Sequence, residues 1–528
     1  MSPIVEGFSA LLDPLVLLCI AAGALLGMLV GAFPGVTATM AVALASGFTL
    51  SLDPLPGLAV LLTIYVSANF GDRVPAILVN TPGTPASIAT TFDGYAMARQ
   101  GKAGLALTSS AFASAWGTLV GIVLLMVAAI PLSKLALNFG PAEMFALVVF
   151  GLTMMIGVSG GRIVKGLIAG GFGLLLATVG RDPITGTPRF TFGASELSDG
   201  IPFIAAIIGL FGIAEVMNQI LVHRKGKGVE PIKEFGRWFP TRRDWRTMLK
   251  PLAIGSGVGG VVGIVPATGG DIAGILGWDQ ARRLSKRPEE FGKGSLEGIT
   301  AADTSSNSTL GGSVTTTLAL GLPGDSVMAV MIGSMVVWGI QPGPSLFSNQ
   351  PDLVYSIAGI MLIATVVALV ISVLRMRGVA KLLELPQHFL WAVILVFCMV
   401  GTYAVNNSVF DVAVMLVFGV VGLFLKRFGI PPGPVVLGLI PRWSGRGQPA
   451  PGPGDRRADE HPDQPHRPGP AGRERARPDR AAGAQRLARP PCPRRRERHH
   501  SHVLILRQPH PFRPFPTEEK NPCPSPPR

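Results

Sequence analysis

Four stretches set helix-breaking prolines and glycines beside hydroxyl, amide or carboxylate side chains within otherwise apolar sequence. They are Phe33-Pro34-Gly35-Val36-Thr37-Ala38-Thr39, Asn80-Thr81-Pro82-Gly83-Thr84-Pro85-Ala86-Ser87, Val265-Pro266-Ala267-Thr268-Gly269-Gly270-Asp271 and Leu322-Pro323-Gly324-Asp325-Ser326. A helix broken at membrane depth leaves N–H and C=O groups unpaired, which is tolerated only where protein or a wet cavity surrounds them. Half-helix N-termini attract anionic groups, and freed carbonyls can hold a cation. The candidate anion-binding residues are therefore Pro34, Gly35, Thr37, Thr39, Asn80, Pro82, Gly83, Thr84, Ser87, Pro266, Thr268, Gly269, Gly270, Pro323, Gly324 and Ser326. Asp271 and Asp325 each follow a break, and with Asn307 they are the candidates to hold a cation, Na⁺ or H⁺. An ionisable residue inside a membrane segment is functional by default, although a helix N-cap is the plainer role for each aspartate. Neither another metal nor a cofactor is expected.

The elements that must carry these residues are membrane helices. Apolar runs of spanning length recur, for example Leu15–Phe33, Ala103–Ile130, Phe203–Val222, Leu353–Leu374 and Val409–Leu425. They lack the two-residue alternation of a membrane β-barrel. The breaks come as two pairs. Pro34 and Pro266 each follow Gly-x-x, and Pro82 and Pro323 come 48 and 57 residues later. The order of features repeats, which points to a duplicated unit. His223–Lys250 carries nine Lys and Arg against three acidic residues, and Arg282–Lys293 carries five, so both belong on the cytoplasmic side. The stretch Pro251 to Gln280 between them must return to the side it left, yet it is too short for two full spans. A re-entrant hairpin with Pro266–Asp271 at its tip meets both conditions. Its counterpart, Leu15 to Leu50 around Pro34–Thr39, is flanked by segments without Lys or Arg, as suits the opposite side. Two hairpins entering from opposite faces make an inverted repeat. The fold expected is an all-α polytopic membrane protein with re-entrant hairpins and Pro-Gly-broken helices. Its parts are a first transmembrane repeat over 1–222, a basic cytoplasmic loop over 223–250, a second repeat over 251–440 and a tail over 441–528. The alternative for any one break is an ordinary kink or a short turn outside the membrane.

Other polar residues have plainer roles. The run Thr315–Thr317 suits hydroxyls bonded back to their own helix. Asp53, Asp72, Arg73 and Asp93 fall near segment ends and are expected at the interface, with Arg99 and Lys102 as orientation signals.

A hydrophobic fraction of 48% with 15% charged residues excludes an ordinary soluble enzyme. The net charge of +14 does not indicate nucleic-acid binding, because Arg442 to Arg528 holds 19 Lys and Arg against 9 acidic residues. That tail begins abruptly after Ile440, is rich in Arg, Pro, Ala and Gly, and has no composition from which to build a core. It is expected to be disordered, and out-of-frame reading of GC-rich codons explains its composition best. Four cysteines, two of them in apolar runs, make neither a disulfide framework nor a metal site. Met1 to Asp13 lacks the basic region of a cleavable signal peptide.

The stretch Asn80–Gly104 closely resembles the signature of the large membrane subunit of the tripartite tricarboxylate transporters. Arg283–Gly298, Gly321-Leu-Pro-Gly-Asp325 and Gly339-Ile-Gln-Pro-Gly-Pro344 are similar to the same family, and the resemblance runs from about residue 7 to 440. It implies a bacterial inner-membrane permease driven by an ion gradient, importing small organic anions of the tri- or dicarboxylate kind. Its partners would be a small four-helix membrane subunit and a periplasmic solute-binding protein. Two places depart from the family pattern. Asn69-Phe-Gly-Asp-Arg73 stands where Tyr-Gly-Gly-Ser is usual, and Ala301-Ala-Asp-Thr-Ser-Ser-Asn307 stands where Ala-Pro-Glu-Ala-Ala-Asn-Asn is usual. The competing reading is an intramembrane aspartyl-type hydrolase with Asp271 and Asp325 as its dyad.

Overall fold

The computed structural model describes residues 3–33, 35–137, 143, 163–182, 187–223, 235–266, 268–381, 387–430 and 432–439. The expected tail over 441–528 and Pro34 lie outside them. In the first half the principal helices are α1 (Pro14–Ala32), α2 (Ala38–Thr49), α3 (Pro54–Gly71), α4 (Arg73–Leu78), α5 (Ile88–Met97), α6 (Ala103–Ala136), α7 (Ile163–Ala177), α8 (Phe203–Ile207) and α9 (Ala214–His223). A π-turn, Ile208–Ile213, joins the last two. The second half has α10 (Arg242–Ile264), α11 (Gly269–Leu284), α12 (Leu296–Leu320), α13 (Ser326–Val337), α14 (Pro351–Lys381), α15 (Gln387–Asn406), α16 (Val409–Arg427) and α17 (Gly433–Leu439). Among the described residues seven helical segments are long and apolar enough to cross a membrane. Strand structure among these residues is limited to a two-residue pairing, Gly180–Arg181 with Pro188–Arg189. The protein is an all-α, multi-pass membrane protein.

Both hairpins form where the sequence predicts them. α2 has 12 residues, about 18 Å of helix, which is too short to cross the hydrocarbon core. In the second hairpin the Lys250 ammonium donates to the Leu284 carbonyl at the far end of α11. The base of one arm thus lies beside the base of the other, and the part of α10 beyond Lys250 is slightly shorter than the 16 residues of α11. The boundary of the basic loop is corrected: α10 starts at Arg242, so Arg242 to Lys250 is helix. A capping box explains the early start. Thr241 accepts from the Asp244 N–H, and the Asp244 carboxylate accepts from the Thr241 N–H at 2.8 Å.

Each hairpin packs on the broken helix of its own half through a stripe of glycines. Gly23, Gly27 and Gly31 of α1 bring its backbone against Val60, Ile64 and Ala68 of α3. Gly255, Gly259 and Gly263 of α10 do the same against Ala301, Ser305 and Thr309 of α12. A Cβ at Gly31 would lie 2.2 Å from the Ala68 carbonyl, and one at Gly259 2.1 Å from that of Ser305. In lipid, where apolar side chains gain little by leaving the solvent, such close backbone approach is a main source of helix association.

The two halves then exchange contacts reciprocally. α2 lies against α13, and α11 lies against the turn Pro85–Ser87 and α5. α6 lies along α12, and α14 lies along α3. This is the pattern a two-fold-related duplication produces. α12 is at the centre, buried from Gly298 to Leu320. Its hydroxyls are spent locally, as expected for Thr315–Thr317: Thr315, Thr316 and Thr317 donate to the carbonyls of Gly311, Gly312 and Ser313 at 2.7, 3.1 and 2.7 Å. Large apolar side chains such as Leu18, Leu25, Val123, Val127, Phe397 and Val417 face outward, where a bilayer would meet them.

Candidate functional site

The four breaks converge on one cavity of about 380 Å³. From the first hairpin come Thr37 and Thr39, and from the first broken helix Tyr65, Asn69 and Thr84. The second hairpin supplies Thr268, Gly269, Gly270 and Asp271, and the second broken helix Asp325 and Ser326. Phe211 and Glu215, from the π-turn and the start of α9, and Lys426 and Pro432–Pro434 close another side. A second cavity of about 240 Å³ lies between α6 and α14, is mostly apolar, and is reached by no hairpin tip.

The halves cross-brace at this cavity. Thr39 and Ser326 share a hydrogen bond of 2.9 Å between their hydroxyls, α2 to α13. The Tyr65 hydroxyl donates to the Asp325 carboxylate. Asp325 is also the N-cap of α13, accepting from the Met328 N–H at 2.8 Å, so the capping role and the cavity role coexist in one side chain. Thr37 caps α2 through the Met40 N–H at 3.2 Å. The starts of α2, α11 and α13 thus all face the cavity, and with them the positive ends of three helix dipoles. Asp271 is open to the cavity from the first turn of α11.

The remaining predicted residues support the breaks without lining the cavity. Gly35 is at φ +84°, a conformation L side chains rarely adopt, and a Cβ there would displace the end of the Gln219 side chain. A Cβ on Gly83 would meet the Gly31 carbonyl at 2.4 Å, and one on Gly324 would meet the Ser313 Cα at 2.2 Å, so each Pro-Gly seats its bend on a helix backbone. Asn80 is an exposed turn residue at φ +54°. Ser87 donates to the Thr84 carbonyl at 2.9 Å. Pro82 is half-buried, and Pro266 and Pro323 are buried beside their bends.

Two expectations are corrected. Asn307 is not in the cavity, because its amide faces α6 and donates to Ser114 Oγ at 3.0 Å and to the Asp303 carbonyl at 2.9 Å. The carbonyls of Val262, Ile264 and Val265 at the second hairpin tip accept hydrogen bonds from hydroxyls. Thr268 donates to those of Val262 and Val265 at 2.6 and 2.8 Å, and Thr316 to that of Ile264 at 3.0 Å. Asp72, Arg73 and Asp93 are not interfacial, since all three are buried. Arg73 Nε lies 3.3 Å from Asp72 Oδ1 and 3.2 Å from Asp303 Oδ1, joining the end of α3 to the middle of α12. Thr84 donates to Asp72, Thr90 donates to Asp303, and Arg73 Nη2 reaches Ser306 at 3.4 Å. The two places where the sequence departs from its family pattern are therefore neighbours in space. Asp93 accepts from the N–H groups of Gly292, Gly294 and Ser295 at 2.8, 3.0 and 2.8 Å and from Trp278 Nε1 at 2.7 Å. It ties the Asn80–Gly104 stretch to the Arg283–Gly298 stretch.

Sequence reasoning missed Tyr65, Glu215 and Lys426. Glu215 carried a usable signal: it is an ionisable residue inside an apolar run, the same signal that singled out Asp271 and Asp325. Tyr65 carried none, being one aromatic among many apolar neighbours.

Fold and cavity together define a multi-pass membrane protein with a chamber at the meeting point of broken helices. Residues 17–437 match the model of the Tripartite tricarboxylate transporter TctA family, and the chain belongs to that family. The match ends just short of Ile440, where the composition changes. A protein of Agrobacterium vitis described as "Uncharacterized 52.8 kDa protein in TAR-I ttuC' 3'region" is 36% identical over 434 residues, covering 82% of this chain and 86% of its own. Another from the same organism, "Uncharacterized protein in TAR-II ttuC' 3'region", is 32% identical over 182 residues, 34% of this chain and 75% of its own. No solved structure matches. The family is one of transporters and not of enzymes, so the hydrolase reading falls away, and a tripartite transporter implies partner subunits.

Proposed function

We propose that this chain is the translocating subunit of an ion-gradient-driven importer of small organic anions carrying two or three carboxylates. It would work in a bacterial inner membrane with a small four-helix membrane subunit and a periplasmic solute-binding protein. The observation that carries the proposal is the convergence of both hairpin tips and both broken-helix restarts on a single cavity that hydroxyl and charged side chains help to line. Three helix N-termini favour an anion there. Among the described residues the charged side chains lining the cavity are those of Asp271, Asp325, Glu215 and Lys426, three carboxylates against one ammonium. A substrate anion adds to that negative excess, and charge in a desolvated site needs compensation. Co-entry of Na⁺ or H⁺ supplies it, with Asp271 and Asp325 as the coupling groups, and this makes uptake depend on the cation gradient.

The test is uptake into proteoliposomes that hold the permease with its small membrane subunit, with the solute-binding protein supplied outside. Labelled citrate and a panel of dicarboxylates serve as solutes. The expected result is accumulation of at least one of them that requires the binding protein and collapses when an ionophore dissipates the gradient. Accumulation indifferent to both conditions, or none for any solute, would remove the proposal.

A further inference from the structure

Lys426 and Glu215 form an ion pair on the cavity wall, and among the described residues Lys426 is the one basic residue lining it. They come from the end of α16 and the start of α9, and neither carries one of the four breaks. Glu215 is held from behind: Gln219 Nε2, one turn further along α9, donates to Glu215 Oε1 at 2.8 Å. Gln219 is itself wedged against the first hairpin tip, where a Cβ on Gly35 would lie 2.1 Å from its Nε2. Glu215 is therefore the anchored member of the pair. Lys426, a compact charge on a flexible stem, is the member able to re-aim.

A mostly buried ion pair does little for stability on its own, because the desolvation of both charges offsets their attraction. This one sits where a carboxylate-bearing solute would arrive. Resting on the permease reading above, we propose that Lys426 binds a substrate carboxylate, and that Glu215 occupies the ammonium as an internal carboxylate while the cavity is empty. Substrate then exchanges one carboxylate for another at Lys426, and no bare ammonium is buried at any stage.

The experiment compares initial uptake rates of the parent, Lys426→Met, Glu215→Gln and the double variant Glu215→Gln/Lys426→Met in the proteoliposomes described above, using labelled citrate and the same dicarboxylates. Lys426→Met should raise the half-saturating concentration by roughly tenfold to a hundredfold, the usual consequence of losing a charged hydrogen bond. Glu215→Gln releases Lys426 from its internal competitor, so half-saturation should stay at the parent value or fall. The double variant decides between binding and bracing. It leaves neither charge of the pair, so it should insert and melt like the parent while keeping the raised half-saturating concentration of Lys426→Met. Parent-like uptake by the double variant would show that the pair is only a brace and overturn the proposal, as would parent-like uptake by Lys426→Met. Absence of uptake in the parent would instead sink the permease reading, and this inference with it.

Discussion

Replacing Arg73 with methionine is expected to destabilise the protein by about 3–5 kcal/mol, the usual consequence of stripping one partner from a buried ion pair. Asp72 and Asp303 would be left in the same pocket with no counter-charge, each with essentially no solvent exposure. The damage should be global, because the cluster joins the first broken helix to α12, the most buried helix of the second half. Thermal melting of the detergent-solubilised protein checks this, with a fall of roughly 5 °C or more expected. The double variant Arg73→Met/Asp303→Asn removes one of the stranded carboxylates and should recover part of the loss. A parent-like melt for Arg73→Met would mean that these three side chains are not held as described.

Asp325→Asn is expected to separate folding from transport. Asparagine is as good an N-cap as aspartate, so the cap on Met328 survives and α13 should form normally. With the amide oxygen on the cap, the NH₂ faces Tyr65, whose hydroxyl can accept from it in place of donating. What disappears is the negative charge at the cavity, together with any cation or proton it holds. The variant should insert and melt like the parent while losing gradient-driven uptake by about tenfold or more, the effect of losing at least one charged contact. Uptake at the parent rate with the parent's ion dependence would exclude Asp325 from the coupling site.

Much of this architecture is legible in the sequence because it is written in local punctuation. Proline and glycine cannot continue a helix without consequence, so four interruptions in apolar sequence mark the tips and bends at once. The duplication is also legible, and more strongly than the Gly-x-x-Pro pairs suggest. Gly23, Gly27 and Gly31 stand before Pro34 at the same spacings as Gly255, Gly259 and Gly263 before Pro266. Glycine at every fourth position is a close-packing face, and it identifies both the hairpin arm and the side that meets the broken helix.

The charge cluster was not legible, for a physical reason. Arg73 and Asp303 belong to different halves, and no spacing rule connects residues so far apart in the chain. Asp72 and Arg73 look interfacial because they follow an apolar run, yet α3 continues almost without pause into α4 and carries them inward. Asn307 misled in the opposite way. It shares α12 with residues close to the cavity, but its own face of the helix meets α6. Lys426 resembles an ordinary basic end of a membrane helix, and only the approach of α9 turns it into a cavity residue.

The claim on which the rest depends is that Thr37, Thr84, Thr268 and Ser326, from four separate interruptions, face one solute chamber. Single cysteines at these positions, in a background without Cys19, Cys398, Cys492 and Cys523, can be labelled with a membrane-impermeant thiol reagent in the presence and absence of the solute selected by the uptake panel. The account predicts that solute protects all four positions together. Unprotected labelling of all four from one aqueous face, at rates indifferent to solute, would show that the interruptions are surface turns.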